Sequence, residues 1–186
     1  MRIISGKCRG LNLSTLKGDN TRPTLDRVKE SVFNILGNTL DDLVVLDLFA
    51  GNGALGLEAL SRGAKFCYFV DSSKEAIDII KKNVAKCRVE DKVEVLNNDF
   101  EIALGKFKDN IFDLVFLDPP YGKDLGVQAI SKLKRVVKDD VIMVLETDSV
   151  DIVPDTIDCF EKYDSRKYGR VIISFYRKAV LWYGGS

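Results

Sequence analysis

Residues 43–56 read LVVLDLFAGNGALG, and Asp71 stands 20 positions after Gly51. Leu43 to Leu48 is a nearly continuous apolar run, the pattern of a strand buried on both faces. Gly51-Asn52-Gly53 breaks that run, and Ala54 to Arg62 reads as a helix. Phe66 to Val70 is the next strand and ends at Asp71. A G-x-G-x-x-G turn between strand and helix, with an acid closing the following strand, has the spacing of a nucleoside-binding βαβ unit. The glycines bring backbone close to the ligand, and the carboxylate accepts from ribose hydroxyls.

Outward from this unit the alternation continues. Ser72 and Glu75 suggest a capping box for a helix through about Lys86. Strands are expected at Lys92 to Leu96, Asp113 to Leu117 and Val141 to Glu146, with helices near Glu101 to Phe107 and Leu125 to Val137. Cys159 to Tyr163 and Arg170 to Arg177 read as two more strands joined as a hairpin, since no helix fits between them. The expected fold is α/β: a Rossmann-like, doubly wound sheet, mostly parallel with an antiparallel C-terminal strand. Upstream, a helix begins near Thr24 and carries Leu25, Val28, Val32, Ile35 and Leu36 at helical spacing. Residues 1–22 read as a basic arm, extended or folded as a short hairpin. The expected organisation is one domain, with the arm at 1–22, the catalytic core at 23–178 and a tail at 179–186.

The 186 residues, 46% hydrophobic and 30% charged, can bury a sizeable core without covalent staples. There is no histidine. That excludes Ser-His-Asp and Cys-His catalysis and any histidine general base. Cys8, Cys67, Cys87 and Cys159 include no C-x-x-C pair, so they read as reduced thiols of a cytoplasmic protein with no metal site. No apolar run reaches the roughly 18 residues of a membrane span. The net charge of zero conceals an asymmetry. Residues 1–40 hold seven basic and three acidic side chains, a net of +4, which leaves −4 for the rest. A basic segment on an acidic body suggests contact with phosphate, and Arg2, Lys7, Arg9 and Arg22 are its exposed candidates.

The residues before the glycine turn narrow the ligand. Asp47 would repel a pyrophosphate but suits a cofactor with a cationic amine. Asp47-Leu48-Phe49-Ala50-Gly51-Asn52-Gly53 therefore reads as the S-adenosylmethionine loop of a class I methyltransferase, with Asp71 and Ser72 beside the ribose. A hydride-transfer reading lacks both a substrate domain and a histidine acid. Asp118-Pro119-Pro120-Tyr121 follows the fourth strand, at the carboxyl edge where ligands of open α/β sheets bind. The prolines stiffen the loop and leave carbonyls as acceptors. A carboxylate plus a fixed carbonyl matches the two N–H groups of an exocyclic amine, and Tyr121 offers a face for stacking a base. The chemistry then reduces to in-line placement of an amine against an activated methyl. Any exocyclic amine would suit this site, so an adenine-N6 methyltransferase acting on DNA or RNA stays open, as does a non-catalytic RNA-binding module.

These motifs together resemble the bacterial 16S ribosomal RNA guanine-N2 methyltransferases, the RsmD-like family. The resemblance rests on residues 2–10 (RIISGKCRG), Thr21-Arg22-Pro23-Thr24 with Arg27-Val28-Lys29-Glu30, residues 47–64, Asp71, Asp118 to Tyr121, and Tyr168-Gly169. It implies methylation of one guanine N2 in small-subunit rRNA; the expected partner is that rRNA in an assembling subunit, and the expected oligomeric state is a monomer. It places Asp99 and Phe100 near the cofactor adenine, Asp118 and Pro119 on the guanine amine, and Tyr121 on the base. Asn52 stands where serine is common, and Cys8 where a bulkier residue is common.

Overall fold

The structure, a computed structural model, describes residues 1–16, 23–37, 39–122 and 124–179. Arg22 and residues 180–186 lie outside the described residues. The chain runs α1 (Pro23–Leu36), β1 (Val44–Leu48), α2 (Ala54–Ser61), β2 (Phe66–Asp71), α3 (Lys74–Cys87), β3 (Val93–Asn97), α4 (Phe100–Lys106) and β4 (Phe112–Leu117). It continues through α5 (Leu125–Lys132), β5 (Val137–Asp148), β6 (Thr156–Ile157), β7 (Phe160–Tyr168) and β8 (Val171–Lys178). The strands form one sheet in the order β3-β2-β1-β4-β5-β8-β7-β6. The first five pair in parallel. The expected C-terminal hairpin forms the antiparallel edge: β8 pairs with β5, β7 folds back on β8, and β6 adds a short rung that was not expected.

Successive strand residues alternate between two cores. Val45, Phe69, Phe116 and Val144 pack with Val32 and Phe33 of α1, Leu57 of α2 and Ile80 of α3. Leu46, Val70, Leu117 and Leu145 pack on the other face with Leu104 of α4 and Ile130 of α5. Gly56, one turn into α2, makes the first of these contacts possible. A Cβ there would meet the Phe69 ring at 2.4 Å and Cys67 Sγ at 2.6 Å. Gly56→Ala should therefore cost about 1–3 kcal/mol of stability through overpacking, read as a lower midpoint in urea unfolding.

Two element boundaries differ from expectation. The α3 cap is Ser73, whose hydroxyl accepts from Ala76 N, one residue after the serine expected to start the capping box. Helix α5 stops at Lys132 rather than Val137. Val137 instead pairs with Phe112 across a bulge and opens a twelve-residue strand. Leu133 and Val136 continue the apolar helical spacing, but they serve the turn that returns the chain to the sheet, where the β-branched valines are buried.

The arm is a docked hairpin. Arg2 and Asn12 form an antiparallel bridge, and Ile3 N donates to Leu11 O at 3.0 Å. Its backbone is held by side chains far along the chain. Glu58 of α2, fully buried, accepts from Ile4 N at 2.8 Å and Ser5 N at 3.0 Å, and it pairs with Lys29 and Arg62. Asn83 of α3 exchanges two hydrogen bonds with Ser14. Gly6 sits so close to α2 that a Cβ would fall 1.8 Å from Ser61 O. This glycine lets the hairpin backbone approach the end of α2.

Candidate active site

The carboxyl ends of β1, β2, β4 and β5 converge on one cavity of about 520 Å3. Each wall follows from local physics. At the end of β1 the chain must leave the sheet sharply, and Phe49 takes φ 77°, a conformation rare for an aromatic residue. The N–H groups of Phe49 and Ala50 both donate to Val70 O, which holds the bend. The Phe49 ring packs on Phe100 with centroids 5.4 Å apart. Asn52 Oδ1 accepts from Ala54 N at 3.0 Å and so steadies the entry into α2.

Of the residues expected at the cofactor, Asp47, Phe49, Ala50, Gly51, Asn52, Asp71, Ser72 and Asp118 line this cavity. Pro119, Pro120 and Tyr121 line it as well. Gly53 stands behind the wall as the α2 cap. Asp99 and Phe100 also stand outside the wall. Asp99 caps α4 by accepting from Glu101 N at 2.9 Å, and Phe100 lies behind Phe49. Asp71 already has an anchoring task, because its carboxylate accepts from Gly51 N at 2.9 Å and Ser73 N at 2.8 Å. It therefore ties the glycine turn to the end of β2. Arg2, Lys7 and Arg9 are exposed on the hairpin and do not line the cavity. Arg2 and Arg9 share a separate hollow with Arg27, Asp26 and Glu30.

The sequence reading missed three wall components. Glu146, near the carboxyl end of β5, accepts from Tyr121 Oη at 3.1 Å. Lys29 enters from α1, and Met1, Thr15 and Leu16 bring both ends of the hairpin to the cavity. The rule that ligands gather at strand carboxyl ends could have picked out Glu146. Nothing local marks Lys29, whose burial comes from its bonds to Glu58 and to Arg2 O.

The cavity is acidic. Asp47, Asp71, Asp118 and Glu146 face it, against the one side-chain cation of Lys29 among the described residues. S-adenosylmethionine carries a sulfonium, an ammonium and one carboxylate, so this donor set fits it and disfavours a pyrophosphate. Burial pushes the Asp47 carboxyl up to about 7, against the pull of the hydrogen bond from Gly56 N; the Asp71 charge adds to the rise. Burial likewise raises Glu146 and lowers Lys29. An unfolded aspartate titrates near 4. Between about pH 4 and about pH 7 the folded chain thus holds a proton at Asp47 that the unfolded chain has lost, so stability falls as pH rises through that window. Asp47→Asn, which keeps an acceptor for Gly56 N, should flatten that part of the profile, as measured by thermal denaturation against pH.

A family profile described as "Conserved hypothetical protein 95" matches residues 1–177. YlbH of Bacillus subtilis is 38% identical over 183 residues, covering 96% of this chain and 99% of its own. Ribosomal RNA small subunit methyltransferase D of Haemophilus influenzae is 40% identical over 153 residues, covering 80% of this chain and 79% of its own. The solved structure of yhhF from Escherichia coli superposes with a TM-score of 0.84 at 31% identity, covering 96% of this chain and 97% of that one. The superposition extends over nearly the full length of both chains, and the chain belongs to this family, the RsmD-like methyltransferases.

Proposed function

We propose that this chain transfers a methyl group from S-adenosylmethionine to the N2 amine of a guanine in 16S ribosomal RNA. The observation that carries the reading is the single cavity in which the glycine turn and Asp118-Pro119-Pro120-Tyr121 share a wall. Relatives named for methylation of small-subunit rRNA support the substrate class. Asp71 would take the ribose hydroxyls, the loop around Asp47 and Ala50 the methionine end, and Phe49, backed by Phe100, the adenine side. When bound, the cofactor supplies a methyl group made electrophilic by its sulfonium charge.

The chain's own residues do the rest. Asp118 and the Pro119 carbonyl accept the two amine N–H groups. This directs the nitrogen lone pair outward and holds the amine in line, a proximity effect. Tyr121, half exposed at the rim, stacks on the base. The amine proton leaves late, to Asp118 or to water, so no histidine is required. The target base must leave its stack to reach this rim, and flanking backbone contacts steady it. Arg2, Lys7 and Arg9 supply them, and the hairpin anchored by Glu58 and Ser61 presents them rigidly. Replacing all three by Ala should flatten the slope of log affinity against log salt by about two, at ~0.7 per single-stranded phosphate contact. Filter binding of small-subunit RNA across a salt series reads this, and cofactor affinity should not move.

The reading is tested in cells. Small-subunit RNA from a strain lacking this chain should lose one N2-methylguanosine by mass spectrometry, and supplying the chain should restore it. An unchanged modification profile would contradict the proposal.

A further inference from the structure

Glu146 has no part in the chemistry above, yet it stands beside Asp118. Leu117 and Leu145 are register partners on β4 and β5. Asp118, the first residue after β4, and Glu146 on β5 come next, and neighbouring strands lie ~4.8 Å apart. Phe116 and Val144, two residues back on each strand, both pack on the α1 side. Period-two alternation sends Asp118 and Glu146 to that same side, and the cavity wall contains both. Tyr121 Oη donates to Glu146 Oε1, so the stacking ring and this carboxylate form one unit. A base lying on Tyr121 with its amine at Asp118 therefore presents its neighbouring ring edge to Glu146.

The bases differ at that edge. Beside its exocyclic amine, guanine carries N1–H, a donor. Adenine carries N1, and cytosine N3, each an acceptor with a lone pair. A second carboxylate next to an amine clamp therefore attracts guanine and sets lone pair against lone pair for the other two. We infer that Glu146 is the residue that selects guanine, accepting its N1–H while Asp118 and Pro119 hold the N2 amine. This rests on the reading of the site proposed above, and it supplies what the Asp-Pro-Pro-Tyr loop lacks, since that loop suits any exocyclic amine.

The test uses 2-aminopurine, which keeps the amine at C2 but has a bare acceptor at N1. Small-subunit RNA is ligated with guanosine or 2-aminopurine riboside at the methylated position, assembled into particles, and methylated under single-turnover conditions. Wild type should methylate the guanine substrate at least ~30-fold faster, since a site built to bond an N–H rejects the analogue lacking it. Glu146→Gln can donate its amide to a bare N1 and can still accept from Tyr121. It should slow the guanine reaction at least ~10-fold, spare the 2-aminopurine reaction, and so shrink the preference by a similar factor. Its cofactor affinity, measured by calorimetry, should stay within ~2-fold of wild type. A variant that slows both substrates equally would overturn the inference and leave Glu146 as a support for Tyr121. Equal wild-type rates on the two bases would overturn it whatever the variant does. Absence of N2-methylguanosine from the wild-type guanine reaction would instead overturn the proposed function, and this inference with it.

Discussion

Asp118→Ala is expected to lower methyl transfer by about 10²–10³-fold or more, while the affinity for S-adenosylmethionine stays within a few fold. Asp118 is exposed and follows β4, whereas the glycine turn follows β1 and Asp71 closes β2. Removing the carboxylate leaves the amine with one acceptor, the Pro119 carbonyl, and frees it to rotate out of line. Misplacement alone costs about 10²-fold. Single-turnover rates and calorimetry on the same preparation separate the two effects. Tyr121 refines the test. Tyr121→Ala removes the stacking face and should be nearly as damaging. Tyr121→Phe keeps the face and loses only the hydrogen bond to Glu146, so it should retain most activity. A Phe variant as inactive as the Ala variant would show that the hydroxyl matters through Glu146 and that stacking is secondary.

Asp71→Ala should weaken cofactor binding by about 1.5–3 kcal/mol, the range for lost hydrogen bonds to a charged group. Two losses combine in this variant. The ribose hydroxyls lose their acceptor, and Gly51 N and Ser73 N lose theirs, so the glycine turn is no longer tied to β2. A fall in melting temperature should therefore accompany the weaker binding, and titration calorimetry with parallel thermal scans would record both. Unchanged affinity would remove Asp71 from the cofactor site.

The parts of the site that were legible in the sequence are those built from local pattern. Asp47, the glycine turn and Asp71 announce a βαβ unit through spacing alone, and Asp118 to Tyr121 announce an acceptor pair by composition and place. Lys29 was not legible as a site residue, and Glu146 was marked only by its place near a strand's carboxyl end. A charge at a strand end or on a helix reads as solvated until the sheet register and the packing of α1 are known. Lys29 is 4% exposed because Glu58, 29 positions later, neutralises it.

The hairpin teaches the same lesson from the other side. Its excess of positive charge was visible, but its anchoring by Glu58, Ser61 and Asn83 depends on contacts more than 50 residues away. The misplaced end of α5 has a similar cause. Leu133, Val136 and Val137 satisfy helical periodicity, with no glycine or proline to stop it, and only pairing of Val137 with Phe112 takes the last of them into the sheet.

The most direct measurement is a reaction with purified components. The chain is incubated with S-adenosylmethionine labelled in its methyl group and with small-subunit particles from cells lacking it, and the RNA is digested to nucleosides. Label in N2-methylguanosine, at close to one methyl group per particle, is the predicted result. Label in N6-methyladenosine, or RNA left unlabelled by a chain that binds the cofactor, would contradict the account.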